Sequence, residues 1–126
     1  MQRLKTRAQF NAVMAGTTVS RTAHFALHRA DPQPPAFSAG GAWVGVLLPK
    51  RWARRAVTRN AIRRQIYAIC HLHGASLPPA AHVVRLRSSF DPKVFVSATS
   101  AALKQSVRAE LEQLVERAVR ATPATP

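Results

Sequence analysis

Phe10, Val13 and Met14 recur at three- and four-residue steps and Gly16 follows them, so residues 6–15 are read as a short helix with a glycine stop. From 21 to 30 the spacing changes to alternation, with Ala23, Phe25 and Leu27 on one face and His24 and His28 on the other, the period of a strand. Residues 31–41 hold three prolines, two glycines and a serine, which break either period and predict a loop. The run 42–48 is almost continuously apolar, as in a strand covered on both faces. A helix is predicted from 55 or 58 to 73, ending at Gly74, and then a loop over 74–81 that contains Pro78 and Pro79. A third strand follows at 82–87, a turn at 88–92 and an extended or disordered stretch at 93–96. Leu103, Val107, Leu111, Leu114 and Ala118 then share one face of a helix predicted over 99–119.

The order helix, strand, strand, helix, strand, helix argues for a mixed sheet with helices packed on it, an α/β sandwich. A chain of 126 residues, 47% of them apolar, suits one domain with a modest core. Residues 1–120 are read as that domain and 121–126 as a disordered tail.

Charge changes the picture. Nineteen Lys and Arg face five Asp and Glu, a formal net charge of +14. Compacting such a chain works against its own repulsion, and a polyanion, most commonly nucleic acid, relieves it. A merely solubilising surface would balance its charges instead. Between Asp31 and Asp91 lie nine basic residues and no acidic one, and seven of the nine fall between Lys50 and Arg64. Glu110, Glu112 and Glu116 cluster on the last helix, where they are expected to face solvent. The single cysteine, Cys70, cannot form an internal disulfide and is read as a small, half-buried apolar residue. Met1 to Phe10 is basic and polar without an apolar run behind it, and no segment approaches the roughly 18 apolar residues of a membrane helix. The expected location is the cytoplasm.

The stretch from Ala56 to Tyr67 concentrates the chemistry. On a helix, Ile62, Ile66 and Ile69 form one narrow apolar stripe; Arg59, Arg63 and Tyr67 lie along the neighbouring row, and Asn60 and Arg64 along the next. Arg54, Arg55, Arg59, Arg63 and Arg64 crowd the positive end of the helix dipole, each at a cost of some tenths of a kcal/mol. Free backbone N–H groups and guanidinium forks in one place make a phosphate site, against the alternative of a solvated charged face.

Arg59-Asn60-x-Ile62-Arg63-Arg64, preceded by Lys50-Arg51-x-x-Arg54-Arg55-Ala56, resembles the basic signature of the bacterial ribonuclease P protein family. Leu4-Lys5-x-Arg7-x-x-Phe10-x-x-Val13 resembles its opening helix, Gly45 to Lys50 its central strand, and the C-terminal amphipathic helix stands where the family has one. The resemblance implies a left-handed crossover around the basic helix, against the usual hand. It implies a ribonucleoprotein in which the RNA subunit carries out magnesium-dependent removal of the 5′ leader from precursor tRNA. The implied protein is a monomer in the holoenzyme that binds that RNA and lowers the magnesium requirement without holding a cofactor itself. Arg59, Asn60, Arg63 and Arg64 would contact the catalytic RNA, supported by Lys50, Arg51, Arg54 and Arg55. Phe10, Phe25 and His28 would line the leader cleft, the aromatic rings as stacking surfaces; core packing is the other reading of both phenylalanines. The chain departs from the family where Ala61 and Tyr67 replace basic residues, Leu47 and Pro49 small polar ones, and His28 an aromatic one.

No catalytic residue is identified. Metal-dependent nuclease chemistry needs clustered carboxylates, and Asp31 and Asp91 are isolated in sequence. Cys70, His71 and His73 splay apart on a helix and make a poor metal site. Trp43 is read as core, and Trp52 stays open between core and base platform. Two other readings accommodate the charge and the basic helix: a non-enzymatic ribosomal or ribosome-associated RNA-binding protein, and a DNA-binding module.

Overall fold

The structure is a computed structural model and describes residues 2–32, 34, 36–37, 41–74, 76–89 and 101–120. In chain order these form β1 (Gln2–Arg3), α1 (Arg7–Met14), β2 (Thr17–Arg21), β3 (Phe25–Ala30), β4 (Trp43–Leu47), α2 (Ala56–Leu72), β5 (Ala81–Leu86) and α3 (Ala101–Arg120). The five strands make one mixed sheet in the order β1-β4-β5-β3-β2. β4 runs parallel to β5 and β1 parallel to β4, while β3 is antiparallel to both β5 and β2. The α/β architecture is therefore as expected, with two additional strands. β1 is only two residues long and β2 is a polar edge strand with a bulge between Thr18 and Ser20, so neither carries a usable alternation. The single strand expected over 21–30 is a hairpin: β2 ends at Arg21 and the chain turns before Phe25, so Ala23 and His24 belong to the turn. Most of the predicted turn, the 93–96 stretch, positions 99–100 of the last helix and the 121–126 tail lie outside the described residues.

Local chemistry sets the boundaries of α1. Thr6 Oγ1 accepts from the Gln9 N–H at 3.1 Å and Gln9 Oε1 accepts from the Thr6 N–H at 3.1 Å, a reciprocal capping box. The Gln9 amide also donates to the Ala36 carbonyl at 3.0 Å, which ties the loop after β3 to this helix.

The sheet is covered on both faces. Phe25, Leu27, Val44, Val84 and Leu86 point toward α2 and α3, meeting Ile62, Ile66 and Ile69 from one helix and Val107, Leu111 and Leu114 from the other. Cys70 lies in the same core, fully rather than half buried, and burial pushes its thiol pKa up to about 12. On the opposite face α1 packs Val13 against Ala81 and Val83 in a smaller cluster with Leu4, Phe37 and Trp43. Trp43 is core, its ring edge-on to Phe37 at 5.3 Å.

Glu110 departs from expectation. Its side chain is only 15% exposed: it accepts from the Thr22 hydroxyl at 2.7 Å and the His24 N–H at 2.9 Å, and meets His24 Nδ1 at 2.7 Å. A carboxylate that helical periodicity places at the edge of the apolar stripe thus fastens α3 to the β2–β3 turn. Glu112 lies 3.2 Å from His73 Nε2, joining α3 to the end of α2.

A Cβ on Gly45 would come within 2.6 Å of Leu4 Cδ1 and 2.8 Å of the Phe10 ring. Gly45→Ala is expected to lower unfolding free energy by about 1–3 kcal/mol, read by urea titration. His82, 1% exposed on β5, has its pKa lowered by burial from 6.5 to about 4. The unfolded chain therefore takes up this proton first as pH falls. Stability is expected to drop by about 3 kcal/mol between pH 6.5 and pH 4 from this group, a loss that His82→Gln removes from the urea-midpoint profile.

Candidate nucleic-acid interface

With its isoleucine stripe on the core, α2 turns its remaining flank outward. Asn60, Arg63 and Arg64 are exposed, and Arg63 Nη1 donates to Asn60 Oδ1 at 2.9 Å, holding the two side chains together. Lys50, Arg51, Arg54 and Arg55 are exposed around the start of the helix. Arg55 is the N-cap residue without a side-chain cap, and the first turn contains no acid. The unfilled N–H groups and these cations give one electropositive end. Arg59 behaves differently from its neighbours. It is half buried, and Nη1 donates to the carbonyls of Ala53 at 2.9 Å and Arg54 at 2.8 Å, so part of its guanidinium is used to close the turn that leads into α2. None of these seven cations pairs with a carboxylate among the described residues.

The basic surface extends beyond the residues marked by the sequence. Arg3 of β1 places its guanidinium carbon 4.0 Å from the centroid of the Tyr67 ring. Arg3, Arg63, Arg64, Tyr67, Ala68 and His71 together line a concavity of about 500 Å³. A two-residue strand has no periodicity from which this placement could be read. Trp52 packs its ring partly against the main core with Arg51 5.1 Å above it, in keeping with the core reading.

A second surface lies between α1 and the sheet. Phe10 is half buried over Gly45, and Leu47, farther along β4 on the same face, is 37% exposed. His28 points to this side and is 6% exposed; Thr18 Oγ1 lies 3.0 Å from its Nδ1, and Arg85 Nε donates to its Nε2 at 3.1 Å. Burial first, and then the charges of Arg85 and Arg21, hold the His28 pKa below its ordinary value. Phe25 does not reach this cleft. It is on the other face of β3, fully enclosed against α2 and α3, because side chains three apart on a strand point to opposite sides. Arg85 and Thr18 were not singled out by sequence; the available signal was a cation inside the apolar run of β5. Among the described residues no group of His, Cys, Asp and Glu is arranged to hold a metal ion.

A cationic helix flank with no carboxylate partner among the described residues, and a half-apolar cleft on the opposite face of the sheet, mark a nucleic-acid-binding protein of the α/β sandwich class. The Ribonuclease P family profile matches residues 1–119. The ribonuclease P protein component of Ralstonia pickettii is 38% identical over 125 residues, covering 98% of this chain and 84% of that one. The component of Bordetella petrii is 36% identical over 110 residues, covering 87% and 85%. The RNase P protein of Staphylococcus aureus superposes with a TM-score of 0.70 at 19% identity, over 92% of this chain and 94% of that chain. That of Thermotoga maritima gives 0.66 at 18% identity, over 93% and 97%. The chain belongs to the ribonuclease P protein family, whose function is the 5′ maturation of tRNA, and its partner is the ribonuclease P RNA. The ribosomal and DNA-binding readings give way to this one.

The different surroundings of Arg59 and Arg64 separate two kinds of loss. Arg59→Ala is expected to cost about 1 kcal/mol of folding stability through its two carbonyl contacts, whereas exposed Arg64→Ala leaves the urea midpoint unchanged.

Proposed function

We propose that the chain docks the catalytic RNA on the outward flank of α2 and receives the 5′ leader of precursor tRNA in the cleft between α1 and the sheet. The observation that carries this reading is the exposed cationic flank, from Lys50 through Arg64, with no carboxylate beside it among the described residues. Its guanidinium forks and the open helix N-terminus suit phosphate oxygens. The cleft offers the partly exposed Phe10 ring and Leu47 as apolar floor for unstacked bases, with Arg85 and Arg21 as cations beside them. Hydrolysis is assigned to magnesium ions held by the RNA; the protein neutralises RNA phosphates, and a lower magnesium requirement follows from that. The working form is one copy of the chain in a cytoplasmic ribonucleoprotein, since its charge disfavours self-association without RNA.

Reconstitution tests the reading. At low magnesium, ribonuclease P RNA with the protein is expected to release the 5′ leader, and RNA alone to fail. Arg63→Ala combined with Arg64→Ala is expected to weaken binding to the RNA and make the log–log salt dependence shallower by about 2. Leader release that is the same with and without protein, or equal RNA binding by the double variant, would sink it.

A further inference from the structure

Arg85 stands on β5, the central strand of five, with β4 on one side and β3 on the other. A half-buried guanidinium there has lost part of its hydration and needs compensation. No carboxylate supplies it among the described residues; its partner is the Nε2 lone pair of His28. Because Nε2 accepts, the ring proton of neutral His28 sits on Nδ1, from which it donates to Thr18 Oγ1. Thr18, His28 and Arg85 thus form a line from β2 through β3 to β5 that fixes the guanidinium by its Nε. A cation reaching only for solvent would turn its whole head outward. Here the inner edge is tied down, and the two terminal nitrogens have no partner among the described residues.

The other face of the same strand pair provides the comparison. Arg29, directly opposite His82 in the ladder, also directs Nε to a histidine nitrogen, at 3.4 Å. Its Nη2 continues to the Ala118 carbonyl of α3 at 3.0 Å, so that arginine joins sheet to helix. Arg85 has the same kind of anchor without a helix carbonyl at its far end. The sheet register places it in a row Arg21, Ala26, Arg85, Leu47 across β2, β3, β5 and β4. A small residue separates the two cations, and Leu47 beside them is exposed to 37%.

We propose that the Arg85 guanidinium, held by His28 and Thr18, is a binding site for a backbone phosphate of single-stranded RNA lying in the α1 cleft, with Arg21 as the second cation. The proposal rests on the cleft being the seat of the leader. His28 acts as a positioning residue that never touches the RNA.

The test uses holoenzyme reconstituted with ribonuclease P RNA, and compares equilibrium binding of precursor tRNA with that of the same tRNA lacking its leader. Arg85→Ala is expected to weaken the leader-bearing RNA about tenfold and leave the leaderless RNA unchanged, the size of one charge-assisted contact. Arg85→Lys, which keeps the charge and the stem, is expected to recover part of that loss and serves if the alanine variant unfolds. His28→Ala, which releases Arg85 Nε, is expected to weaken the leader-bearing RNA, and His28→Gln, which restores an acceptor, to recover it. Wild-type holoenzyme that does not distinguish the two RNAs would remove the cleft reading and this site with it. Wild type that distinguishes them, with Arg85→Ala and Arg85→Lys doing so equally well, would overturn this site alone.

Discussion

The parallel pairing of β4 with β5 is the constraint on which the rest of the structure depends. Parallel neighbours cannot be joined by a hairpin, so the chain must cross over, and α2 is that crossover. The helix is consequently pressed onto the sheet through Ile62, Ile66 and Ile69, and its arginine rows have nowhere to go but outward. Placing β5 centrally also brings β3 against it in antiparallel register, which sets Arg29 opposite His82 and brings Arg85 within reach of His28. The cationic flank and the α1 cleft are thus consequences of one strand order.

A formal charge of +14 with five carboxylates leaves few counter-ions for the arginines. The molecule substitutes neutral acceptors. Arg59 uses the carbonyls of Ala53 and Arg54, Arg87 that of Thr22, Arg117 that of Arg21, and Arg29 that of Ala118. Arg29 and Arg85 also use histidine nitrogens, which accept only while the rings are neutral, and burial keeps both histidine pKa values low. Glu110 is committed to the β2–β3 turn rather than to any arginine of α2. Leaving the α2 flank without acids disfavours the isolated protein and favours its union with a polyanion.

Much of this was legible in one dimension. Periodicity marks α1, α2, β4, β5 and α3 because each buries a regular stripe, and Thr6 opens α1 through cap chemistry that is local by nature. β1 and β2 were not legible, since their pairing comes from neighbours remote in sequence and their residues are mostly polar or half exposed. Alternation separated Phe25 from His28 correctly, yet only the packing of α2 and α3 shows which face is core, and it removes Phe25 from the cleft.

By itself the sequence determined the number and kind of the long elements, the concentration of cations on one helix and the family to which they belong, because these depend on the spacing and identity of near neighbours. Tertiary structure alone decided that Arg3 covers Tyr67, that Arg59 turns back on its own helix entrance, that Glu110 is enclosed, and that His28 and Thr18 hold Arg85. Apart from the Arg59 contact, which reaches back five and six residues, each of these joins residues brought together by strand order and helix packing, and no local period encodes a contact whose distance is set by the fold.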